Sequence, residues 1–246
     1  MKVLIHGSTG RMGKILCQLL KDGYQNLTLA ARVSPEEIAD PANCVYTSLA
    51  EVACDVDCVV DFSHHTAVGS LMDFCVAKNL PVVVATTGQT PEEKTAIAEA
   101  AKKIPVFFSA NMSIGVALLA NLAKKAASVF PDANIEIVEK HHNQKLDVPS
   151  GTALLLAHKI QEALTDTVLL VGRHENGKRT AKEIGIHSLR LGNEVGTHEI
   201  IIATGAETIT LKHEAENRSL FANGALAAAA FLEGKAPGLY SMQDII

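Results

Sequence analysis

Tryptophan is absent from the 246 residues, the five cysteines form no C-x-x-C, and neither a long apolar run nor a block of like charge appears. Each absence removes a class of explanation. With no stretch near the roughly 20 apolar residues that span a bilayer, no transmembrane helix is expected. Cys17, Cys44, Cys54, Cys58 and Cys75 all lie in the first third, in odd number. A zinc site and a disulfide framework are both disfavoured, and buried free thiols in a reducing compartment are expected. The net charge of −5 and the scattered cations, such as Lys102-Lys103 and Lys124-Lys125, argue against nucleic acid, which needs clustered Lys and Arg. Lys2 is followed at once by a short apolar run and a Gly-rich turn, so no signal peptide is read there and a soluble cytoplasmic protein is expected. No internal repeat or low-complexity linker is visible.

What is present is alternation. Lys2–His6 reads as a strand, Gly10–Leu20 as a helix and Leu27–Val33 as a strand. Cys58–Phe62 is a strand, about Thr66 to Asn79 a helix, Pro81–Thr86 a strand, Pro91–Lys103 a helix and Val106–Ser109 a strand. Strand–helix alternation implies a parallel sheet covered on both faces, an α/β doubly wound fold. After Ser113 the pattern changes. A long helix, Gly115–Val129, leads to the strand Ile135–Lys140, and later come the strands Gly185–Arg190, His198–Thr204 and Glu207–His213. Turns with Gly192, Gly196 and Gly205 suggest a mixed or antiparallel sheet. The apolar face of a final Ala-rich helix, Phe221–Leu232, suggests that it packs back onto the first domain.

The first strand runs into Gly7-Ser8-Thr9-Gly10-Arg11-Met12-Gly13, a G-x-x-G-x-x-G variant of the dinucleotide fingerprint. Gly7 suits the tight turn, Gly10 the close approach of a pyrophosphate, and Gly13 the packing of helix on sheet. The second strand ends Ala30-Ala31-Arg32-Val33-Ser34 with no carboxylate before Glu36. Arg32 is therefore either a partner for a 2′-phosphate, favouring NADPH with NADH still usable, or a plain surface cation. Two more strand ends carry small polar residues, Ala85-Thr86-Thr87-Gly88 and Ser109-Ala110-Asn111-Met112. Each is either a capped turn or a cofactor contact.

The densest chemistry lies in Glu139-Lys140-His141-His142-Asn143-Gln144-Lys145-Leu146-Asp147-Val148-Pro149-Ser150-Gly151-Thr152-Ala153. Two imidazoles precede a lone amine, and Ser150-Gly151-Thr152 opens an apolar helical run, Ala153 to Leu164. A helix start offers unpaired N–H groups and a partial positive charge, a seat for a carboxylate. Imidazole is the side chain for proton transfer near neutral pH. Glu139 and Asp147 read as groups that orient the loop. His158, His174, His187 and His198 read as structural. His64-His65 together with His141-His142 lacks the defined third donor a metal site needs, so no metal is expected.

Together these segments resemble the 4-hydroxy-tetrahydrodipicolinate (dihydrodipicolinate) reductase family over essentially the whole chain. The resemblance rests on Gly7–Gly13, Asp61-Phe62-Ser63, Thr86-Thr87-Gly88, Ala110-Asn111-Met112-Ser113, Glu139–Ala153, Arg218 and Phe221-Ala222-Asn223-Gly224-Ala225. It implies a Rossmann-like dinucleotide-binding domain over 1–112, completed by 219–246. It also implies an α+β substrate-binding and oligomerisation domain with a mixed open sheet over 113–218. The implied activity is NAD(P)H-dependent reduction of a cyclic dicarboxylate by a homotetramer. His141 is then the proton donor and Lys145 the essential cation. His142, Ser150, Gly151, Thr152 and Arg218 bind substrate. Gly7, Ser8, Thr9, Gly10, Arg11, Met12, Ala85, Thr86, Thr87, Ser109, Ala110, Asn111 and Met112 contact cofactor, joined by Arg32 on the residue argument above. Ala85 stands where the family usually has Gly, Met112 where it usually has Phe, and Asn143-Gln144 where some members carry basic residues. Two other readings remain: another two-domain oxidoreductase, since Glu139-Lys140 echoes a Glu-Lys-Pro motif although His141 replaces the Pro, and a non-catalytic NADP-binding sensor.

Overall fold

Lys2–His6 forms β1, whose Val3, Leu4 and Ile5 are wholly buried, as a strand covered on both faces requires. The computed structural model describes residues 1–246. The chain continues through α1 (Arg11–Asp22), β2 (Thr28–Val33), β3 (Val45–Tyr46), β4 (Cys58–Asp61), α2 (Val68–Ala77), β5 (Val82–Val84), α3 (Pro91–Ala101) and β6 (Pro105–Phe108). Next come α4 (Ile114–Val129), β7 (Asn134–His141), α5 (Gly151–Gln161), β8 (Val168–Val171), β9 (Glu183–Arg190), β10 (Gly196–Ala203) and β11 (Thr208–Ala215). The chain ends with α6 (Ser219–Phe231) and β12 (Gly238–Tyr240). Two units result: Met1–Ser113 with Ser219–Ile246, and Ile114–Arg218.

The first unit holds a seven-stranded, wholly parallel sheet in the order β12-β6-β5-β4-β1-β2-β3. The order reverses between β1 and β4, so the carboxyl ends of these strands open a crevice of the kind that takes ligands in doubly wound sheets. Leu71, Met72 and Cys75 of α2 and Ile97, Ala100 and Ala101 of α3 close one core layer. On the chain's return, α6 packs against α1, β4 and β5. Gly7 has φ +83°, and a Cβ there would stand 2.5 Å from the Phe62 carbonyl oxygen, so only glycine makes this turn.

The second unit is a five-stranded mixed sheet, β11-β10-β7-β9-β8, antiparallel on the β10 side and parallel on the β9 side. Both α4 and α5 lie on one face. Leu119, Ala120, Ala123, Leu156 and Ile160 pack there against Ile135, Ile137, Ile184, Ile186, Ile200 and Ile202. The doubly wound sheet and the mixed sheet both match expectation. The strands β3, β8 and β12, two to four residues long, were not anticipated. The expected helix from Thr66 begins instead as a 3₁₀ turn, His65–Ala67, before α2 proper.

Gly224 of α6 lies against the Met112 backbone, and a Cβ would fall inside the Met112 carbonyl oxygen. Gly224→Ala should therefore lower the unfolding free energy by about 1–3 kcal/mol. Gly69→Ala in α2, where the added methyl meets nothing, should leave stability unchanged or raise it by up to about 1 kcal/mol. Urea titrations of both variants check the contrast, and equal effects would mean that α6 is not held this closely.

Candidate active site

The apolar face of β7 changes character along its length. Ile135 and Ile137 point into the core, and the next two residues on that face are Glu139 and His141, both buried. The same happens on β10, where Ile202 and Ile200 give way to His198. Register brings these ends together: His141 of β7 pairs with Arg190 of β9, and Glu139 with His198 of β10. The polar end of the layer sits at the start of α5, whose N-cap is Ser150.

Glu139 has no exposed surface, yet both its oxygens are fully used. His141 Nδ1 donates to Oε2 at 2.5 Å, and Arg190 donates to Oε2 at 2.8 Å and Oε1 at 2.7 Å. The Ser150 N–H donates to Oε1 at 3.1 Å. Burial alone would raise the Glu139 carboxyl, but the bonds from His141 and Arg190 outweigh it and hold the group well below the usual carboxylate range. Arg190 also donates to the Asp147 carbonyl at 2.8 Å, tying the loop after β7 to the sheet.

His198 stacks edge-on to His141 with ring centroids 5.2 Å apart, and its Nε2 meets the Ser150 hydroxyl at 3.0 Å. Burial, then the neighbouring His141, pushes its pKa down to about 3, so this imidazole is neutral. Ser150 Oγ accepts from the Ala153 N–H at 3.1 Å and caps α5. Gly151 is exposed with open space where a Cβ would stand, and no acidic residue occupies the first turn. The Gly151 N–H draws on the Asp147 carboxylate, so this end of α5 already attracts an anion, in keeping with its positive potential. Lys145 Nζ pairs with Asp147 at 2.8 Å, and its backbone N–H closes a turn onto the His142 carbonyl at 3.2 Å. His141, His142, Lys145, Ser150, Gly151 and Thr152 therefore share one strand end, loop and helix start. Arg218 follows β11 at the end of the second unit, and no hydrogen bond or ion pair joins it to that loop.

In the first unit, Asp61 at the end of β4 is buried and accepts from Ser63 Oγ at 2.6 Å and Thr86 Oγ1 at 2.7 Å, and pairs with His6 Nδ1 at 2.8 Å. It binds the ends of β1, β4 and β5 together at the switch point. The α1 start has Gly10 as N-cap with no side-chain cap, no acidic residue in its first turn, and Gly10 itself exposed. That is an open cradle for a pyrophosphate, and a nicotinamide dinucleotide fits it. The hydroxyls of Ser8, Thr9, Thr86 and Ser109 are engaged within the protein. Contacts from these residues to a ligand would run through backbone. Arg32 is half-buried and lies 3.6 Å from Glu37. The chain turns after Ser34 and brings two carboxylates back to the loop: Ser8 donates to Glu37 at 2.8 Å and Thr9 to Glu36 at 2.9 Å. A reading by distance along the chain stops at Arg32 and misses this return. No group of three or more His, Cys, Asp or Glu side chains is arranged to hold a metal.

The model of the dihydrodipicolinate reductase N-terminus matches residues 1–112, and that of its C-terminus matches 115–246. The chain belongs to the dihydrodipicolinate reductase family. It is 44% identical over 248 residues to the 4-hydroxy-tetrahydrodipicolinate reductase of Caldanaerobacter subterraneus subsp. tengcongensis, covering 100% of this chain and 98% of that one. The enzyme of the same name from Clostridium novyi is 43% identical, again over 100% and 98%. Among solved structures, dipicolinate-bound dihydrodipicolinate reductase from Paenisporosarcina sp. TG-14 superposes with a TM-score of 0.83 at 27% identity, over 100% of this chain and 99% of that one. The family resemblance of the motifs is thus borne out. Arg190 and His198 are the residues packed about Glu139 and His141 that sequence reasoning missed. The signal available was the alternation itself, which puts Glu139, His141 and His198 on faces otherwise reserved for Ile.

A neutral His198 makes a prediction about acid. The unfolded chain takes up a proton near 6.5 and the folded chain only near 3, so stability falls as pH drops through that window. His198→Asn should flatten the dependence of the urea midpoint on pH between about 6.5 and 4. Parallel slopes in the two proteins would show that His198 is not held neutral.

Proposed function

We propose that this chain catalyses the nicotinamide-dependent reduction of 4-hydroxy-tetrahydrodipicolinate to tetrahydrodipicolinate, a step of diaminopimelate and lysine biosynthesis. The observation that carries the reading is His141, held through Nδ1 by a buried carboxylate, with Lys145 and the start of α5 on the loop that follows. Family membership supplies the substrate class.

A bound nicotinamide supplies the hydride. The protein must supply a proton to the electron-rich carbon left in the ring, and His141 is the group that gives it, through Nε2. A general acid of this kind contributes about 10²–10⁴-fold. Lys145 and the N–H groups at Gly151 and Thr152 bind substrate carboxylate, aided by His142, with charge-assisted bonds of roughly 1.5–3 kcal/mol each. Asp147 now engages both Lys145 and the Gly151 N–H, so binding exchanges one carboxylate for another on the same partners. Arg218 is a further candidate for the substrate.

Gly7, Ser8, Thr9, Gly10, Arg11 and Met12 would hold the pyrophosphate of the cofactor. Ala85, Thr86 and Thr87, with Ser109, Ala110, Asn111 and Met112, would face its nicotinamide half. At the adenosine end Arg32 favours a 2′-phosphate, whereas Glu37 favours a free ribose hydroxyl. Their 3.6 Å pairing supports use of both NADPH and NADH, with the ratio set by which charge prevails. The protein is read as cytoplasmic; no helix is long and apolar enough to cross a membrane. It is read as a homotetramer, assembled through the face of the second sheet opposite α4 and α5.

His141→Ala and Lys145→Ala should each lower turnover of freshly prepared 4-hydroxy-tetrahydrodipicolinate by about 10²-fold or more, with NADPH binding, followed by fluorescence, nearly unchanged. Near-normal turnover would remove that residue from the mechanism. For cofactor choice, Arg32→Ala should raise the ratio of NADH to NADPH efficiency and Glu37→Gln should lower it. Two shifts of the same sign would dismiss the charge pair as the selector.

A further inference from the structure

Three features of the second unit bear on how His141 is presented rather than on whether it reacts. Its ring is bonded through Nδ1 alone; Nε2 makes no hydrogen bond within the protein. Nε2 faces Gly196, where a Cβ would stand only 3.1 Å away, so any larger residue would press on that atom. The carboxylate on Nδ1 does not stand alone, because Arg190 takes both of its oxygens.

The geometry points to Glu139 and Arg190 as a positioning pair for His141. Glu139 fixes the ring and its Nδ1–H, and Arg190 offsets the carboxylate so that Nε2 releases its proton; Gly196 keeps that atom clear. The inference rests on His141 being the proton donor. A lone buried carboxylate would stabilise the imidazolium and make it a weaker acid; a neutral partner would let the proton go too early. The bidentate guanidinium keeps the carboxylate charged while drawing part of that charge away from Nδ1. In the step itself the Nε2–H bond breaks and a C–H bond forms on the substrate, leaving a neutral imidazole whose Nδ1–H stays on Glu139.

The other charged or titratable groups facing His141 are few. Lys145 and Asp147 lie on the loop that follows β7, and His198 lies on β10 with His213 opposite it on β11. The nearby end of α5 contributes the uncharged Ser150. Glu139 and Arg190 are therefore the nearest groups whose removal changes the charge at Nδ1.

Opposite shifts are the signature. The fall of kcat with rising pH that His141 produces should move to lower pH by roughly one unit in Glu139→Gln. In Arg190→Gln it should move to higher pH, and Arg190→Lys should return it most of the way. NMR titration of the His141 ring in the same proteins should follow, with KM for the dicarboxylate changing less than kcat. Gly196→Ala should lower kcat without moving the limb. If Glu139→Gln does not fold, the two Arg190 variants and the ring titration decide alone. Limbs fixed at the wild-type pH in the Glu139 or Arg190 variants overturn the pair, provided His141→Asn has lost activity. If His141→Asn keeps activity and the limb, the proton-donor reading fails instead.

Discussion

Burying a carboxylate at the end of an apolar layer costs several kcal/mol unless its oxygens are satisfied, and Glu139 meets that requirement with four hydrogen bonds from three donor residues. Each donor is on a different piece of the second unit: His141 on the same strand, Arg190 on β9, Ser150 at the start of α5. The need to satisfy one buried charge therefore fixes the ring, the neighbouring strand and the helix cap relative to one another. Arg190 extends the arrangement to the Asp147 carbonyl, so the loop that carries Lys145 is anchored at its far end. Loss of one member leaves the others buried without partners, a change usually worth about 3–5 kcal/mol.

The first unit uses the same device at a different place. Asp61 sits at the end of β4 and joins His6, Ser63 and Thr86, so three strand ends at the switch point are tied through one carboxylate. Because side-chain hydroxyls are spent on the protein itself and the Gly10 N–H closes the turn onto the Gly7 carbonyl, the loops keep their shape while the N–H groups of the first turn, from Arg11, point out of the helix start. Glu36 and Glu37 add a second layer on the Ser8-Thr9 turn. The result is a rigid rim of the kind that binds phosphate without rearrangement. A cation, Arg32, is set against Glu37 where a ribose would be read.

Local patterns carried much of this. Gly7, Gly10 and Gly13 declare a strand–turn–helix by steric need, and the dense stretch from His141 to Thr152 is contiguous in the chain and remains so in space. Alternating strands and helices fixed the parallel sheet, since a crossover of helical length leaves few other topologies. The short strands β3, β8 and β12 were not legible because they stand outside the strand–helix alternation that marked the equally short β4, β5 and β6. Arg190, some 50 positions beyond His141, was not legible for a different reason. Its place depends on the register of β7 with β9, which is set by the whole layer of Ile side chains beneath. His198 was read as structural because its neighbours in sequence are unremarkable; its role in the site comes from β10 lying beside β7. Glu37 escaped notice because the turn after Ser34 folds back, and turn direction depends on what the loop finds to bond.

By itself, then, the amino-acid order determined which residues could do chemistry: an imidazole, an amine and a helix start in one segment, and a glycine turn in another. Spacing and alternation are local properties and survive in one dimension. Only the tertiary structure decided how the imidazole is held, which nitrogen it offers, and which charge stands behind it. Those depend on strand register and on satisfying buried charge, and both are settled by packing across the sheet, not along the chain.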